Sequence, residues 1–184
     1  MALKSTIFKA QLQIADMDRS VYADHALTLA RHPSENDERM MMRVLAFALC
    51  VPADDLRGRL EFTAGLSDTE VPDLWQKDLT GELLQWVEVG QPDDRRLAKA
   101  CSRAERVTLF AYGSSAPIWW QGLANKVARL DRLSVWQVPA EASKALAGLA
   151  QRSMQLQVTV QDGQIWLGDG NETVDFEPKR LMPA

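Results

Sequence analysis

The chain has 184 residues, 46% of them hydrophobic and 25% charged, and a net charge of −4. Those values exclude a disordered chain, and the length suffices to bury roughly 70% of the surface an unfolded chain exposes without disulfide staples. The mild acidity excludes a protein that coats nucleic acid non-specifically, because that affinity comes from Lys and Arg displacing counterions.

Two cysteines, Cys50 and Cys101, do not make a disulfide scaffold in a chain of this length. The opening MALKSTIFKAQLQIADMDR is broken by Lys4, Lys9 and Asp16, unlike the apolar run of a signal peptide. No stretch has the apolar length of a membrane span. One domain over residues 1–184, in a reducing cytoplasm and away from membranes, is the expectation.

Alternation over residues 2–14 predicts a strand whose inward face is ambiguous, followed by a turn over 16–22. Residues 22–30 follow as a second strand with Leu27 and Leu29 inward. His25 and His32 lack a third ligand at metal-binding spacing, so they read as exposed or hydrogen-bonded structural histidines rather than a zinc site. Residues 34–50 predict a helix that Pro33 precedes and Ser34 caps, with Asp37 placed to reach back as a capping-box acid. Glu38, Met42, Leu45 and Leu49 recur at helical spacing, which puts the Glu38 carboxylate on a face continuous with the apolar stripe. The acids Glu35, Asp37 and Glu38 also suit the positive end of a helix. That bland reading is preferred for Glu35 and Asp37, and both readings stand for Glu38.

Residues 51–56 close the helix at Pro52, residues 60–65 form a short strand, and 66–71 an acidic loop. The loop leads into PDLWQKDLTGELLQWVEVGQPDDRRLAK. Residues 73–79 and 83–89 read as the two strands of a hairpin around Thr80, Gly81 and Glu82. Leu84 and Trp86 fall on one face of the second strand, Val87 and Val89 on the other, as in a central strand covered on both sides. Pairing across the turn returns Asp73 to the neighbourhood of Glu88. A carboxylate in such a place costs several kcal/mol, on the order of its desolvation, unless a cation, a metal or a donor network compensates it.

Asp93 or Asp94 caps a helix over 95–103 that turns Leu97, Ala98 and Cys101 inward. Its Arg95, Lys99 and Arg103 form a basic face, solvated in the bland reading or able to hold a phosphate. RVTLFAY at 106–112 is a strand of β-branched and aromatic residues leading through Gly113, Ser114 and Ser115 into a helix over 116–130. GSSAP lacks both the GxSxG elbow and the P-loop GK[ST], so its serines read as helix caps, and the Trp119–Trp120 pair as core. SVWQV at 134–138 implies a parallel crossover from 106–112. A helix over 141–153 follows, then a hairpin with Asp162-Gly163 at its turn, and a tail over 177–184 that is poorly ordered or draped on the surface.

An acid, a gap and then acid-x-residue at a strand end resembles the signature of the PD-(D/E)XK restriction-endonuclease-like superfamily. More specifically, PDLWQKDLTGELLQWVEVGQPDDRRLAKA, with ARHPSENDERMMMR before it and LFAYGSSAPIWWQ after it, is similar to the bacterial YaeQ family over essentially the whole chain. The resemblance implies an α/β fold, a mixed β-sheet flanked by helices with additional hairpins. It also implies a magnesium-dependent, nuclease-like phosphodiesterase site in which Asp73 and Glu88 hold the metal, Glu38 joins them, and manganese is a substitute. Hard oxygen ligands suit that cation, which would neutralise phosphoryl charge.

One feature departs from the pattern: where the superfamily has a lysine two positions after the second acid, this chain has Gly90. Lys77, Lys99, Gln121 and Lys126 are the groups available to replace it, with Lys99 and Gln121 carried as site candidates beside Glu38, Asp73 and Glu88. Two function classes therefore stand. One is a metal-dependent nuclease. The other is a non-catalytic protein binding a nucleic acid or protein partner, with a link to transcription, in a family without established activity.

Overall fold

The computed structural model describes residues 4–183. The expected strand over 2–14 is β1 (Thr6–Asp16), and Ala2 and Leu3 lie outside the described residues. Its period-two pattern settles the inward face: Phe8, Ala10, Leu12 and Ile14 are buried, while Ile7, Lys9, Gln11 and Gln13 face water. β2 (Val21–Arg31) pairs antiparallel along its whole length, with Leu27 and Leu29 inward as expected. The other neighbour of β1 comes from the far end of the chain.

A single mixed sheet was the expectation, and among the described residues there are two mixed sheets and four helices. The chain passes from β2 into α1 (Asp37–Cys50) and then begins the second sheet with β3 (Leu60–Phe62), β4 (Leu74–Lys77) and β5 (Leu83–Val89). The β4–β5 hairpin forms where the alternation placed it, and Leu84, Trp86, Val87 and Val89 are all buried. α2 (Asp94–Arg103), β6 (Ala104–Ala111), α3 (Ala116–Val127) and β7 (Leu133–Gln137) follow; β6 and β7 pair in parallel, as the crossover expectation required, and so do β5 and β6. α4 (Ala140–Ala147) returns the chain to the first sheet. There β8 (Ser153–Gln161) pairs in parallel with β1, then β9 (Gln164–Gly168) and β10 (Thr173–Phe176) complete it. At the β8–β9 turn Asp162 and Gly163 both have positive φ, 51° and 79°, the backbone a two-residue hairpin demands.

The expected helix over 141–153 is shorter because the chain tightens around Gly148 and leaves for β8. The expectation of a loose tail is corrected as well: residues 179–182 form β11 (Lys179–Met182), which pairs antiparallel with β7 and caps an otherwise open edge.

α1 explains the layering. Met40 through Ala48 are buried on every side, all of them apolar except the ion-paired Arg43, and a helix with so little polar surface must lie inside. It sits between the sheets with α4, sharing one core with the inner faces of β1, β8 and β9 and with Leu74, Val87, Val89 and Phe110 of the second sheet. A second core, with Trp86, Leu97, Leu109, Leu123 and Val135, fills the opposite face of the second sheet under α2 and α3. The order is sheet, helices, sheet, helices. Burying each of the large α1 side chains contributes about 1.5–3 kcal/mol, an upper figure because unfolded chains are already partly collapsed.

Several local expectations change. Asn36, not Ser34, caps α1 through the Arg39 N–H, while Ser34 bonds the His32 ring and Asp37 pairs with Arg31. His25 is packed edge-on against Phe47 at 5.1 Å, and its Nε2 is buried without a hydrogen-bond partner among the described residues. On α2 Ala100 is buried in the place expected for Ala98, which is exposed. Ser115 makes no cap bond to α3 and bonds Gln91 instead. Trp119 and Trp120 pack on the second core but stay half-buried.

Candidate functional site

Asp73 stands one residue before β4. The antiparallel register Leu74↔Val87, continued one step, sets it opposite Glu88. The two acids that sequence spacing brought together are therefore neighbours at one end of the hairpin, and both are buried, at 5% and 3% exposure. Each has a cation and a neutral donor of its own. Asp73 Oδ1 accepts from Arg39 Nη2 at 2.7 Å and Oδ2 accepts from the Val89 backbone N–H at 2.9 Å. Glu88 accepts from Arg96 Nε at 2.7 and 2.9 Å on its two oxygens and from the Trp86 indole N–H at 2.9 Å.

The arginines extend the network. Arg39, on α1, also donates to Glu35, which in turn holds Arg43. Arg96, on α2, donates its two terminal nitrogens to the carbonyls of Thr69 and Val71, strapping the acidic loop onto β5. Three carboxylates, Glu35, Asp73 and Glu88, thus face three guanidiniums, Arg39, Arg43 and Arg96. Glu35 stands just before the cap of α1, at the positive end of the helix as expected, and it is also buried and paired with arginines four and eight residues further on.

Burial pushes the Glu88 carboxyl above its usual range. Arg96 and Trp86 pull it back without cancelling that penalty, and the nearby Asp73 charge adds to the rise. Burial also disfavours the charged Arg39, but the charges of Asp73 and Glu35 more than reverse it, so its pKa rises. The Tyr112 phenol, just past β6, is pushed up to about 12, chiefly by burial, with Arg39 opposing and Glu38, Asp73 and Glu35 reinforcing. It is therefore a protonated donor beside the acid centre, a residue that sequence spacing did not single out.

Glu38 points to a different partner, accepting from the Ser143 hydroxyl of α4 at 3.0 Å, and it forms no ion pair among the described residues. The expected convergence of three acids is not what the structure contains: among the described residues no three His, Cys, Asp or Glu side chains gather as a metal-ligand group. As arranged, Asp73 and Glu88 do not fit a magnesium ion, because their oxygens are already held by guanidiniums and N–H donors. The candidates for the missing lysine are also dispersed. Lys99 pairs with Glu70 at the surface, Gln121 is exposed on α3, Lys126 lies in the last turn of that helix, and Lys77 lies over the Trp75 ring at 4.0 Å, at the far end of β4 from Asp73.

Residues 1–178 match the family model described as YaeQ protein. The chain belongs to the YaeQ family. An uncharacterized protein YaeQ of Salmonella typhi is 47% identical over 178 residues, covering 96% of each chain. One from Escherichia coli K12 is 45% identical over 176 residues, covering 95% of this chain and 94% of the relative. The crystal structure of YaeQ protein from Xanthomonas axonopodis pv. citri superposes with a TM-score of 0.90 at 44% identity, covering 96% of this chain and 98% of that one. That of YaeQ protein from Pseudomonas syringae gives 0.90 at 35%, covering 98% and 97%. The YaeQ match thus includes every strand and helix from β1 to β10 and the acid centre with them.

Proposed function

We propose that this chain is a non-catalytic binding or regulatory protein of the cytoplasm, built on a restriction-endonuclease-like (PD-(D/E)XK) frame whose metal positions have become structural ion pairs. The superfamily reading is supported by the succession α1, β3, β4, β5, α2, β6 with an acid entering β4 and another near the end of β5. The observation that carries the functional half is the neutralisation of Asp73 by Arg39 and of Glu88 by Arg96. A catalytic carboxylate must be free to hold a cation, and these two tie α1, the β4–β5 hairpin, α2 and the acidic loop together. A cytoplasmic setting is supported by two free cysteines and by the lack, among the described residues, of any helix long and apolar enough to cross a membrane.

A protein partner is favoured over nucleic acid. The basic face of α2 is partly consumed, since Lys99 pairs with Glu70 and Arg103 donates to the Glu70 carbonyl. The alternative, a magnesium-dependent nuclease, draws on the convergence of Asp73 and Glu88 and on Glu38, which among the described residues forms no ion pair. Titration calorimetry with magnesium and manganese, alongside incubation with single- and double-stranded DNA and RNA, separates the two. The proposal expects no metal binding that depends on Asp73 and Glu88, and no cleavage. Metal-dependent cleavage abolished by Asp73→Asn and Glu88→Gln would overturn it.

A further inference from the structure

A cavity of about 370 Å³ lies between the two sheets, and none of its lining residues belongs to the acid centre. Its origin is the length of α1. Fourteen residues end at Cys50, a helix spans only about 1.5 Å per residue, and the sheets run on beyond it. The parallel ladder of the second sheet grades this space from polar to apolar. Gln85 is in register with Arg106, Thr108 with Ser134, and Phe110 with Trp136. All six line the cavity, and Val160 and Ile165 of the first sheet line it too, beside Asp16, which is in register with Val160 and held by Arg19.

Arg106 is the decisive residue. Among the described residues it forms no ion pair and donates no side-chain hydrogen bond, although the other charged groups lining the cavity, Asp16, Asp18 and Arg19, are all engaged. Arg19 is spent on Asp16 and on the carbonyls of Ala48 and Val51, and Asp18 accepts from the N–H groups of Asp162 and Gly163. Arg106 and Ser134 also line an adjoining opening of about 610 Å³, where Arg57 and Arg132 stand with Asp54, Glu105 and Asp131, and which gives the smaller cavity a mouth at Arg106. The Cys50 thiol inside it is pushed by burial up to about 11 and stays neutral, adding no competing negative charge.

We propose that this cavity binds a small carboxylic acid with an apolar tail, its carboxylate on Arg106 and its tail against Phe110, Trp136, Val160 and Ile165. The volume lies in the range of small-molecule sites, and a guanidinium fork matches a carboxylate in two bonds. The site stands whether or not Asp73 and Glu88 hold a metal, since it shares no residue with them.

Octanoate and octanol, alike in tail and different in charge, are the probes, titrated calorimetrically into the full-length protein. Octanoate is expected to bind with a Kd below about 1 mM and octanol roughly tenfold more weakly. Arg106→Gln, at an exposed position that should leave the fold intact, is expected to remove that preference by weakening octanoate alone. Ser134→Phe, checked for native circular dichroism, is expected to block both. No octanoate binding at millimolar concentration, or octanoate binding that Arg106→Gln leaves unchanged, overturns the proposal; so does undiminished binding by a folded Ser134→Phe protein.

Discussion

Replacing Asp73 by alanine separates a structural acid from a catalytic one. The substitution removes the bond to Arg39 and leaves the buried Val89 N–H without its acceptor. A bond to a charged partner contributes about 1.5–3 kcal/mol, and an orphaned buried donor costs about 1–3 kcal/mol. The first figure belongs at its low end, because Arg39 keeps Glu35 as a partner and its side chain is 19% exposed. Relief of the Asp73 desolvation penalty offsets part of the sum, so a net loss of about 3 kcal/mol is expected. In a chain of this size that lowers Tm by about 6–12 °C and the urea midpoint by about 1 M if m is near 3 kcal/mol/M. Urea and thermal unfolding of wild type and variant give the number, and a double-mutant cycle with Arg39→Ala should return a coupling of at least about 1 kcal/mol. A folded Asp73→Ala protein with an unchanged or raised Tm would refute the reasoning, since catalytic groups are commonly held at the expense of stability.

Glu88→Gln should behave differently, and its effect should depend on pH. The folded-state pKa of Glu88 lies above its ordinary 4.5. The native state therefore holds a proton that the unfolded chain has released, and this group's contribution is full below about 4.5 and lost as pH rises through the folded pKa. The Tm of Glu88→Gln relative to wild type should accordingly climb from pH 4 upward, and a relative fall would mean that Arg96 outweighs burial. With its pKa raised from 9.0 to about 11, Cys50 should carry about a hundredfold less thiolate at pH 7. A coloured aromatic disulfide should label it slowly in the native protein, where it is half-buried in the cavity wall, and rapidly once denaturant is added; equal rates would contradict the raised pKa. Gly58→Ala should cost more than about 3 kcal/mol, because φ is +89° and a Cβ would stand 1.9 Å from the Lys77 carbonyl oxygen. A variant whose Tm moves by less than about 2 °C would show that β4 shifts freely.

Much of the fold was legible because it is local. Alternation of side chains suffices for the β4–β5 hairpin, and Asp162-Gly163 announces the turn between β8 and β9. The apolar run around MMMRVLAFAL marks α1, and only its cap residue was misplaced, because Ser34, Asn36 and Asp37 are all competent and the backbone's entry angle chooses among them. The tail strand β11 carries too little periodicity in four residues to be seen; it exists because β7 presents an unpaired edge. At the site, the pairing of Asp73 with Glu88 could be read from hairpin register. The spacing of Glu35, Arg39 and Arg43 is equally local, but their pairing depends on how the chain enters α1, since Glu35 stands before its cap.

By itself, then, the amino-acid order determined which segments are strands and helices, which of their faces are apolar, and that two acids share a strand end. Periodicity acts over neighbouring residues, so no distant information is needed for any of that. Only the tertiary structure decided what those acids do. Arg39 reaches Asp73 across 34 positions from another layer, and whether a buried carboxylate meets a guanidinium or a free coordination sphere depends on how the layers stack. The division into two sheets, and the gap left where α1 ends between them, follow from the same long-range packing.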